Sequence, residues 1–243
     1  MKLETAGSVL AVFAHPDDES LVAGGVLAAR AAAGARTAVV TATWAEGTHR
    51  AEELTEAVGI LVAGKPRLLG YADAKVPESA PGAVRWCDVP LDEAVGRLVA
   101  QIREFRPEVL LTHDAYGGLS GHPDHRQTHR VTLLAARAAG LGLLYPEAGP
   151  AWQPAALYGA THPASVAREL GRRLAPGRVL YAMPDEQVTT AVDVRPWVRT
   201  KLCAIFAHRS EVERGALPGR LAAVSVAERE QLTGTEWYVR HEV

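Results

Sequence analysis

The chain has 243 residues, of which 48% are hydrophobic, and it carries a formal net charge of −2. This length suits one α/β domain spanning 1–243, and the composition can fill a sizeable core. The near-neutral charge gives no reason to expect nucleic acid or an anionic membrane as a partner. No stretch of the sequence approaches the roughly 18 consecutive apolar residues of a membrane-spanning helix.

The cysteines and the N-terminal residues predict a cytoplasmic protein. Cys87 and Cys203 lie far apart without C-x-x-C spacing, which is typical of reduced structural thiols in the cytosol. Because Cys203 has apolar neighbours in a predicted helix, we expect it in the core. The first residues include an acid and lead directly into a predicted strand, so no signal peptide is expected.

Strand-like and helix-like segments alternate through the first two-thirds of the chain. The predicted strands are residues 9–14, 37–43, 67–71 and 108–112. The predicted helices are residues 21–33, 50–63, 92–105 and a segment that ends near 139. Residues 72–90 contain several prolines and glycines, so a long loop near the site is expected there. This alternation predicts an α/β, Rossmann-like fold of three layers with a mostly parallel sheet.

The last third of the chain is less regular and is predicted to form a smaller C-terminal extension. Its predicted strands are residues 155–160, 188–194 and 237–239. Its predicted helices lie within residues 161–179 and over 197–208.

A polar motif, His15-Pro16-Asp17-Asp18-Glu19, directly follows the first apolar strand. It brings an imidazole and three carboxylates to the carboxyl end of a parallel sheet, where such sheets bind their ligands. His15 and Asp18 are separated by a strand-to-helix turn and can point at one divalent ion. Asp17 is then free to act as a general base toward water. Glu19 has no assigned catalytic role, and it is expected to be either an acid at the start of the helix or a partner of the other site residues.

A second motif, His122-Pro123-Asp124-His125, follows a glycine-rich loop at residues 117–121. His122 and His125 are i and i+3 at the start of a helix, and either can supply a third metal ligand. A site with three protein ligands keeps one position for water, whose pKa the metal can lower to about 7. Asp124 is placed to hydrogen-bond one imidazole and to fix its tautomer.

A single motif of this kind can also be a helix-capping turn, because an acidic side chain near a helix N-terminus accepts hydrogen bonds from free amides. Two His-Pro-Asp motifs, each after an apolar strand, favour a metal site over that alternative. Five other histidines are expected to be surface or otherwise satisfied polar groups: His49, His113, His129, His162 and His241.

With both motifs, the chain resembles the LmbE-like, or PIG-L, family of zinc-dependent N-deacetylases. The specific matches are residues 14–19 and 121–125. The weaker matches span residues 9–208 together with the specific ones, and they are R-x-x-E-L at residues 50–54, L-G-Y-x-D at residues 69–73, Arg106-Pro107 before the fourth strand, and Lys201-x-x-Ala204 with His208. The likeness is strongest to enzymes that deacetylate an N-acetylglucosaminyl inositol in mycothiol synthesis and to amidases of mycothiol conjugates.

The resemblance implies a role for each matching motif residue. His15, Asp18 and His125 would ligate Zn²⁺, with Fe²⁺ as the alternative ion. Asp17 would be the general base that deprotonates the attacking water. In this scheme the cofactor is the metal ion alone.

The resemblance also implies residues that handle the intermediate and the substrate. His122 would stabilise the tetrahedral intermediate or protonate the leaving amine, with Asp124 orienting it. Arg50 and Asp73 match positions that contact the sugar in such enzymes.

One position departs from the family pattern. Some of those deacetylases have a tyrosine just before the glycine of the second motif, where it helps to polarise the acetyl carbonyl. Here that position is Ser120. Tyr116 and Tyr238 are two candidates to take its place, and the metal itself can polarise a carbonyl.

The sequence therefore predicts a metal-dependent hydrolase that removes an acyl group, in the first instance acetyl, from a small amino sugar or glycoside. An amidase that cleaves a larger amide, such as a mycothiol-type conjugate, is the alternative with the same chemistry. A non-catalytic metal- or sugar-binding homologue is the alternative from another class. The intact general base at Asp17 argues against it, because a binding module has no use for one.

Overall fold

Strands and helices alternate along the chain, which the computed structural model describes from residue 2 to residue 243. The strands are β1 (Ser8–Phe13), β2 (Arg36–Thr43), β3 (Arg67–Tyr71), β4 (Val109–His113), β5 (Ala156–Thr161), β6 (Thr190–Asp193) and β7 (Thr235–His241). They form one sheet in the order β3-β2-β1-β4-β5-β7-β6. The strands β1 to β5 pair in parallel, whereas β7 is antiparallel to both β5 and β6.

Most of the connections between strands contain helices. These are α1 (Asp18–Ala32), α2 (His49–Ile60), α3 (Leu91–Phe105), α4 (Pro123–Ala138), α5 (Ala164–Leu174), α6 (Val198–Ala207), α7 (Arg209–Glu213), α8 (Leu217–Ala223) and α9 (Val226–Thr233). Within residues 2–243, none of these helices combines the length and the apolar character needed to cross a bilayer.

The central strand β1 shows why the sheet has helices on both faces. Val9, Ala11 and Phe13 point to one side and belong to an apolar cluster that includes side chains of α1, α2 and α6. Leu10 and Val12 point to the other side and belong to a cluster with α3 and α4. Alternate side chains of a strand point to opposite faces of the sheet, so a wholly apolar strand must be buried by helices on both faces. The predicted α/β fold of three layers, with its mostly parallel sheet, is confirmed.

The strand order places a topological switch point between β1 and β4. From β1 the chain passes through α1 to β2 on one side, and it later returns to add β4 on the other side. The loops that leave the carboxyl ends of these two strands therefore diverge and open a crevice. Both His-Pro-Asp motifs follow these strands, so the sheet itself brings them together.

Two features of the last third differ from the sequence prediction. The final strand, β7, is longer than predicted. It belongs to the main sheet, in which it pairs with both β5 and β6. The three short helices α7 to α9 were not predicted.

Cys203 was wrongly predicted to lie in the core, since its side chain is exposed. The buried residues of α6 include Leu202, Ala204 and Ile205. Cys203 lies on the outer face of this helix, and its apolar sequence neighbours belong to the inner one.

Candidate active site

The first motif forms a tight turn between β1 and α1. Asp18 Oδ2 accepts a hydrogen bond from the His15 backbone N–H at 2.8 Å, which closes the turn. Asp17 occupies the N-cap position of α1 with φ 126° and ψ −29°, yet its side chain makes no capping hydrogen bond. A residue with a β-carbon rarely adopts a positive φ of this size. The carboxylate of Asp17 is therefore not used for helix capping.

Three donor atoms from the two motifs converge. Nδ1 of His15 lies 3.0 Å from Nε2 of His125 and 3.5 Å from Oδ2 of Asp18. Nε2 of His125 lies 3.3 Å from Oδ1 of Asp18. Ligands bound tetrahedrally at about 2.1 Å from one ion lie roughly 3.4 Å apart. The spacing and the N₂O donor set thus fit a small divalent cation such as Zn²⁺ or Fe²⁺.

The outer nitrogen of each imidazole is held by an acceptor. Nε2 of His15 lies 3.1 Å from Oδ2 of Asp124 and 3.3 Å from Oδ2 of Asp73. Nδ1 of His125 lies 3.0 Å from the Gly117 carbonyl. With its outer nitrogen protonated and its inner nitrogen free of a proton, each ring would direct a lone pair at an ion in the centre of the cluster.

The charges of the cluster shift its pKa values strongly. Burial alone would lower the pKa of His15, but hydrogen bonds to Asp124 and Asp18 outweigh it and raise this pKa to about 10. Burial opposes the charge of Asp18, yet His125 and His113 hold the pKa of Asp18 well below its usual range. The pKa of His125 is lowered well below its usual value, mainly by burial. A metal bound at this cluster must therefore displace a proton from His15.

Asp17 lies in a buried and charged environment beside these groups. Burial raises the pKa of Asp17 to about 7, although the neighbouring Arg50 acts in the opposite direction. Nη2 of Arg50 lies 3.4 Å from Oδ1 of Asp17. The structure thus leaves Asp17 with a carboxylate that can exchange a proton near neutral pH.

His122 packs edge-on against His15, with ring centroids 4.6 Å apart. Its Nδ1 accepts a hydrogen bond from the Asp124 backbone N–H at 3.3 Å, so Nε2 carries the ring proton. Burial lowers the pKa of His122 to about 4, which keeps the ring neutral. The carboxylate of Asp124 lies closer to His15 (3.1 Å) than to Nδ1 of His122 (3.6 Å). Asp124 therefore orients His15 through its side chain and His122 through its backbone.

The two predicted sugar-contacting residues also lie in this region. Arg50 is buried, donates to the Pro16 carbonyl and lies 3.1 Å from a carboxylate oxygen of Glu211. Asp73 is buried, and its Oδ1 accepts the Lys75 backbone N–H at 2.7 Å. Both side chains have partners within the protein, and contact with a sugar stays a prediction.

His113, predicted to be a surface or satisfied polar group, lies inside the cluster. Its ring stacks on His125 with centroids 3.9 Å apart and planes 8° apart. Its Nε2 accepts the Ala14 backbone N–H at 3.1 Å and lies 3.3 Å from Oδ2 of Asp18. Of the two predicted alternatives, His113 is a buried polar group with a hydrogen-bond partner and not a surface residue. The sequence feature that could have placed His113 in the site is its position as the last residue of β4, at the carboxyl end of a central strand.

Asp114 was not singled out from the sequence, although it holds the glycine-rich loop in place. Its Oδ1 accepts the backbone N–H groups of Tyr116 at 3.1 Å and Gly118 at 2.8 Å. Its Oδ2 accepts the Thr161 hydroxyl at 2.6 Å. The loop so held contains Gly117, whose carbonyl contacts His125. Asp114 thereby supports the orientation of that imidazole.

Tyr238 does not serve as the missing tyrosine at the site. It is fully buried, and its hydroxyl lies 2.9 Å from Oε2 of Glu236 and 3.2 Å from the Val22 carbonyl. Tyr116 is 41% exposed in the loop ahead of the second motif. Tyr181 is a further tyrosine beside that motif, because a β-carbon on Gly121 would lie 2.5 Å from its ring.

The fold and the site together define an α/β protein with a metal-type cluster of histidines and carboxylates at its switch point. A family model described as PIG-L, GlcNAc-PI de-N-acetylase, matches residues 10–136. The chain belongs to the PIG-L family, as the resemblance of its two motifs predicted.

Two deacetylases align with most of the chain. The 1D-myo-inositol 2-acetamido-2-deoxy-alpha-D-glucopyranoside deacetylase of Rhodococcus jostii is 37% identical over 245 residues, covering 84% of this chain and 81% of the relative. The enzyme of the same name from Mycolicibacterium smegmatis is 34% identical over 259 residues, covering 95% of this chain and 89% of the relative.

Solved structures share the fold. The N,N'-diacetylchitobiose deacetylase of Pyrococcus horikoshii superposes with a TM-score of 0.68 at 19% identity, covering 99% of this chain and 85% of that one. The conserved protein TT1542 of Thermus thermophilus superposes with a TM-score of 0.65 at 25% identity, covering 95% of this chain and 93% of that one.

Proposed function

We propose that the protein is a metal-dependent N-deacetylase that hydrolyses the acetamide of an N-acetylglucosaminyl glycoside, with the inositol glycoside named in its relatives as the first substrate to test. The observation that carries this proposal is the convergence of His15, Asp18 and His125 next to the uncapped carboxylate of Asp17. The names of the relatives support the substrate class. We also propose that residues 1–243 act as one catalytic domain.

His15, Asp18 and His125 would hold the ion. Their spacing supports a tetrahedral site with three protein ligands. When bound, such an ion polarises an amide carbonyl and lowers the pKa of water. Zn²⁺ and Fe²⁺ both suit this donor set.

Asp17 would move the protons of the reaction. Its carboxylate takes a proton from the attacking water as the new carbon–oxygen bond forms. It then returns that proton to the amide nitrogen as the carbon–nitrogen bond breaks, which gives acetate and a free amine. One group can perform both transfers because a carboxyl that titrates near neutral pH works in either direction.

His122 would stabilise the oxygen on which negative charge develops. Its Nδ1 is engaged by the Asp124 backbone N–H, so the proton on Nε2 is available as a hydrogen-bond donor. A neutral ring held between Asp124 and His15 needs no reorganisation during the reaction. This supports stabilisation of the intermediate over protonation of the amine as the role of His122.

The proposal is tested with purified protein, stripped of metal and reconstituted separately with Zn²⁺ and, without oxygen, with Fe²⁺. The panel contains the N-acetylglucosaminyl inositol glycoside, free N-acetylglucosamine, N,N'-diacetylchitobiose and a larger thiol-conjugate amide. Primary amine is followed with fluorescamine, and acetate is followed in a coupled assay. We expect equal amounts of amine and acetate from the inositol glycoside, and only after metal is restored.

Two results would contradict the proposal. Failure of either metal form to release amine from any compound would remove the catalytic assignment. Cleavage of the larger amide alone would replace deacetylation by the amidase alternative.

A further inference from the structure

Glu19 and His208 form a fully buried pair next to Asp17. Oε1 of Glu19 lies 2.9 Å from Nε2 of His208 and accepts the Ser20 hydroxyl at 2.5 Å. Oε2 of Glu19 accepts the backbone N–H of Asp17 at 3.0 Å. One carboxylate thus connects the backbone of Asp17 to an imidazole 189 positions away in sequence.

The backbone of Asp17 needs such support. Its φ of 126° is disfavoured for any residue with a β-carbon. Such conformations persist only where neighbouring groups hold them, and they cluster at functional sites. The Asp17 carbonyl is held by the N–H groups of Ser20 at 3.2 Å and Leu21 at 3.0 Å. The bond to Glu19 holds the other side of the same residue.

The side chain of His208 forms its hydrogen bond with Glu19. Over the described part of the chain, Nδ1 of His208 is buried and has no hydrogen-bond partner. Its Nε2 is used by Glu19 alone among its hydrogen-bond contacts. A buried ionic pair contributes little net stability compared with a well-packed apolar pair, so a role other than stability is indicated.

We propose that Glu19 and His208 are positioning residues that hold Asp17 in its strained backbone conformation and thereby direct its carboxylate at the reacting water. This inference rests on the proposed function, in which Asp17 is the base. His208 keeps the Glu19 carboxylate in place, and Glu19 keeps the Asp17 amide in place.

The first test compares Glu19→Ala with Glu19→Gln. A glutamine has the same shape: its carbonyl can accept the Asp17 N–H, and its NH₂ can donate to Nε2 of a neutral His208 ring that carries its proton on Nδ1. We expect Glu19→Ala to lower kcat about 30- to 100-fold with KM within about twofold and with metal content unchanged. Glu19→Gln should recover kcat to within about fivefold of the parent protein.

Glu236, in β7, offers a matched control because it also binds the backbone of α1. It is also buried, accepts the backbone N–H groups of Gly25 and Val26, and pairs with Lys201 at 2.7 Å. Glu236→Gln alters a buried carboxylate bound to α1 without contacting Asp17. We expect it to lower thermal stability and to leave kcat within about twofold.

A second readout does not depend on substrate. The Asp17 amide, bonded to a carboxylate, should give a downfield ¹⁵N–¹H resonance with slow hydrogen exchange. That signal should be lost in Glu19→Ala and kept in Glu19→Gln and Glu236→Gln. If the parent protein deacetylates nothing, the proposed function fails, whereas the amide signal still tests the positioning role.

Three results would overturn the inference. The first is a Glu19→Ala protein whose kcat stays within about threefold of the parent value. The second is an unchanged Asp17 amide signal in that variant. The third is a loss of metal that equals the loss of activity, since this would assign the pair to the metal ligands. Should Glu19→Ala fail to fold, Glu19→Asp, which keeps the charge near His208 but withdraws from the Asp17 N–H, is judged by the same three results.

Discussion

Nδ1 of His15 lies 3.0 Å from Nε2 of His125, although the two residues are 110 positions apart in sequence. Two imidazole nitrogens at this distance cannot both present lone pairs, so a proton or a cation must lie between them. Asp18 contacts both rings and supplies negative charge to the same point. The geometry of the pair therefore supports the proposed ligand set.

His125→Ala and His15→Ala should each abolish stoichiometric metal binding. Each substitution leaves two protein ligands, too few for a stable site. After dialysis against a weak chelator, mass spectrometry should find about one ion per chain in the parent protein and less than about 0.1 in either variant. His241→Ala, at a histidine outside the ligand set, is the control. Full metal occupancy in His125→Ala would refute its assignment.

Asp114→Ala should weaken metal binding without removing a ligand. The change releases the loop that carries Gly117, whose carbonyl orients His125. Loss of such outer support typically costs about 10- to 100-fold in metal affinity. Competition with a chromophoric chelator measures the effect, and Asp193→Ala, at an exposed aspartate, provides the comparison. Equal affinities in the two variants would show that the loop does not orient His125.

Gly25→Ala should destabilise the protein even though alanine favours helices. A β-carbon at position 25 would lie 2.4 Å from Cβ of Val194, closer than any packed contact allows. Overpacking of this kind costs about 1–3 kcal/mol, more than the roughly 1 kcal/mol that alanine contributes over glycine in a helix. Urea unfolding of Gly25→Ala, Val194→Gly and the double variant measures the coupling, because glycine at position 194 removes the β-carbon that the new side chain would meet. The double variant should be more stable than the sum of the single effects predicts, and simple additivity would contradict the contact.

Stability should depend on pH through His162. Burial, together with Lys201, lowers the pKa of His162 to about 4 from the 6.5 of an unfolded chain. The unfolded state then binds more protons between these values, so this contribution is present above pH 6.5 and is lost as the pH falls toward 4. We expect His162→Gln to remove a pH dependence of about 3 kcal/mol in the free energy of unfolding. Urea titrations at several pH values with excess chelator measure it, and parallel curves for both proteins would contradict it.

The central sheet and both motifs were predictable because their signals are local. An apolar run such as 9–14 must be buried on both faces, and the polar motif that follows it must then lie at the strand end. The short helices α7 to α9 were missed because each has too few turns for a periodic pattern to stand out.

The partners of the site residues were less predictable because they come from distant parts of the chain. Glu19 had no assigned role in the sequence, since its partner His208 lies 189 positions later. Arg50 was matched to a sugar contact, whereas its placement beside Asp17 and Glu211 depends on how α2 and α7 pack. Nothing in a local pattern reports such pairings.

The most direct test of the account is Asp17→Asn, assayed for metal content and turnover on the same preparation. Asparagine has the same shape but cannot accept and return a proton, and it does not alter His15, Asp18 or His125. We predict that the variant binds as much metal as the parent protein while kcat for amine release falls by about 100-fold or more. Turnover within about tenfold of the parent value at full metal occupancy would contradict the assignment of Asp17 as the base.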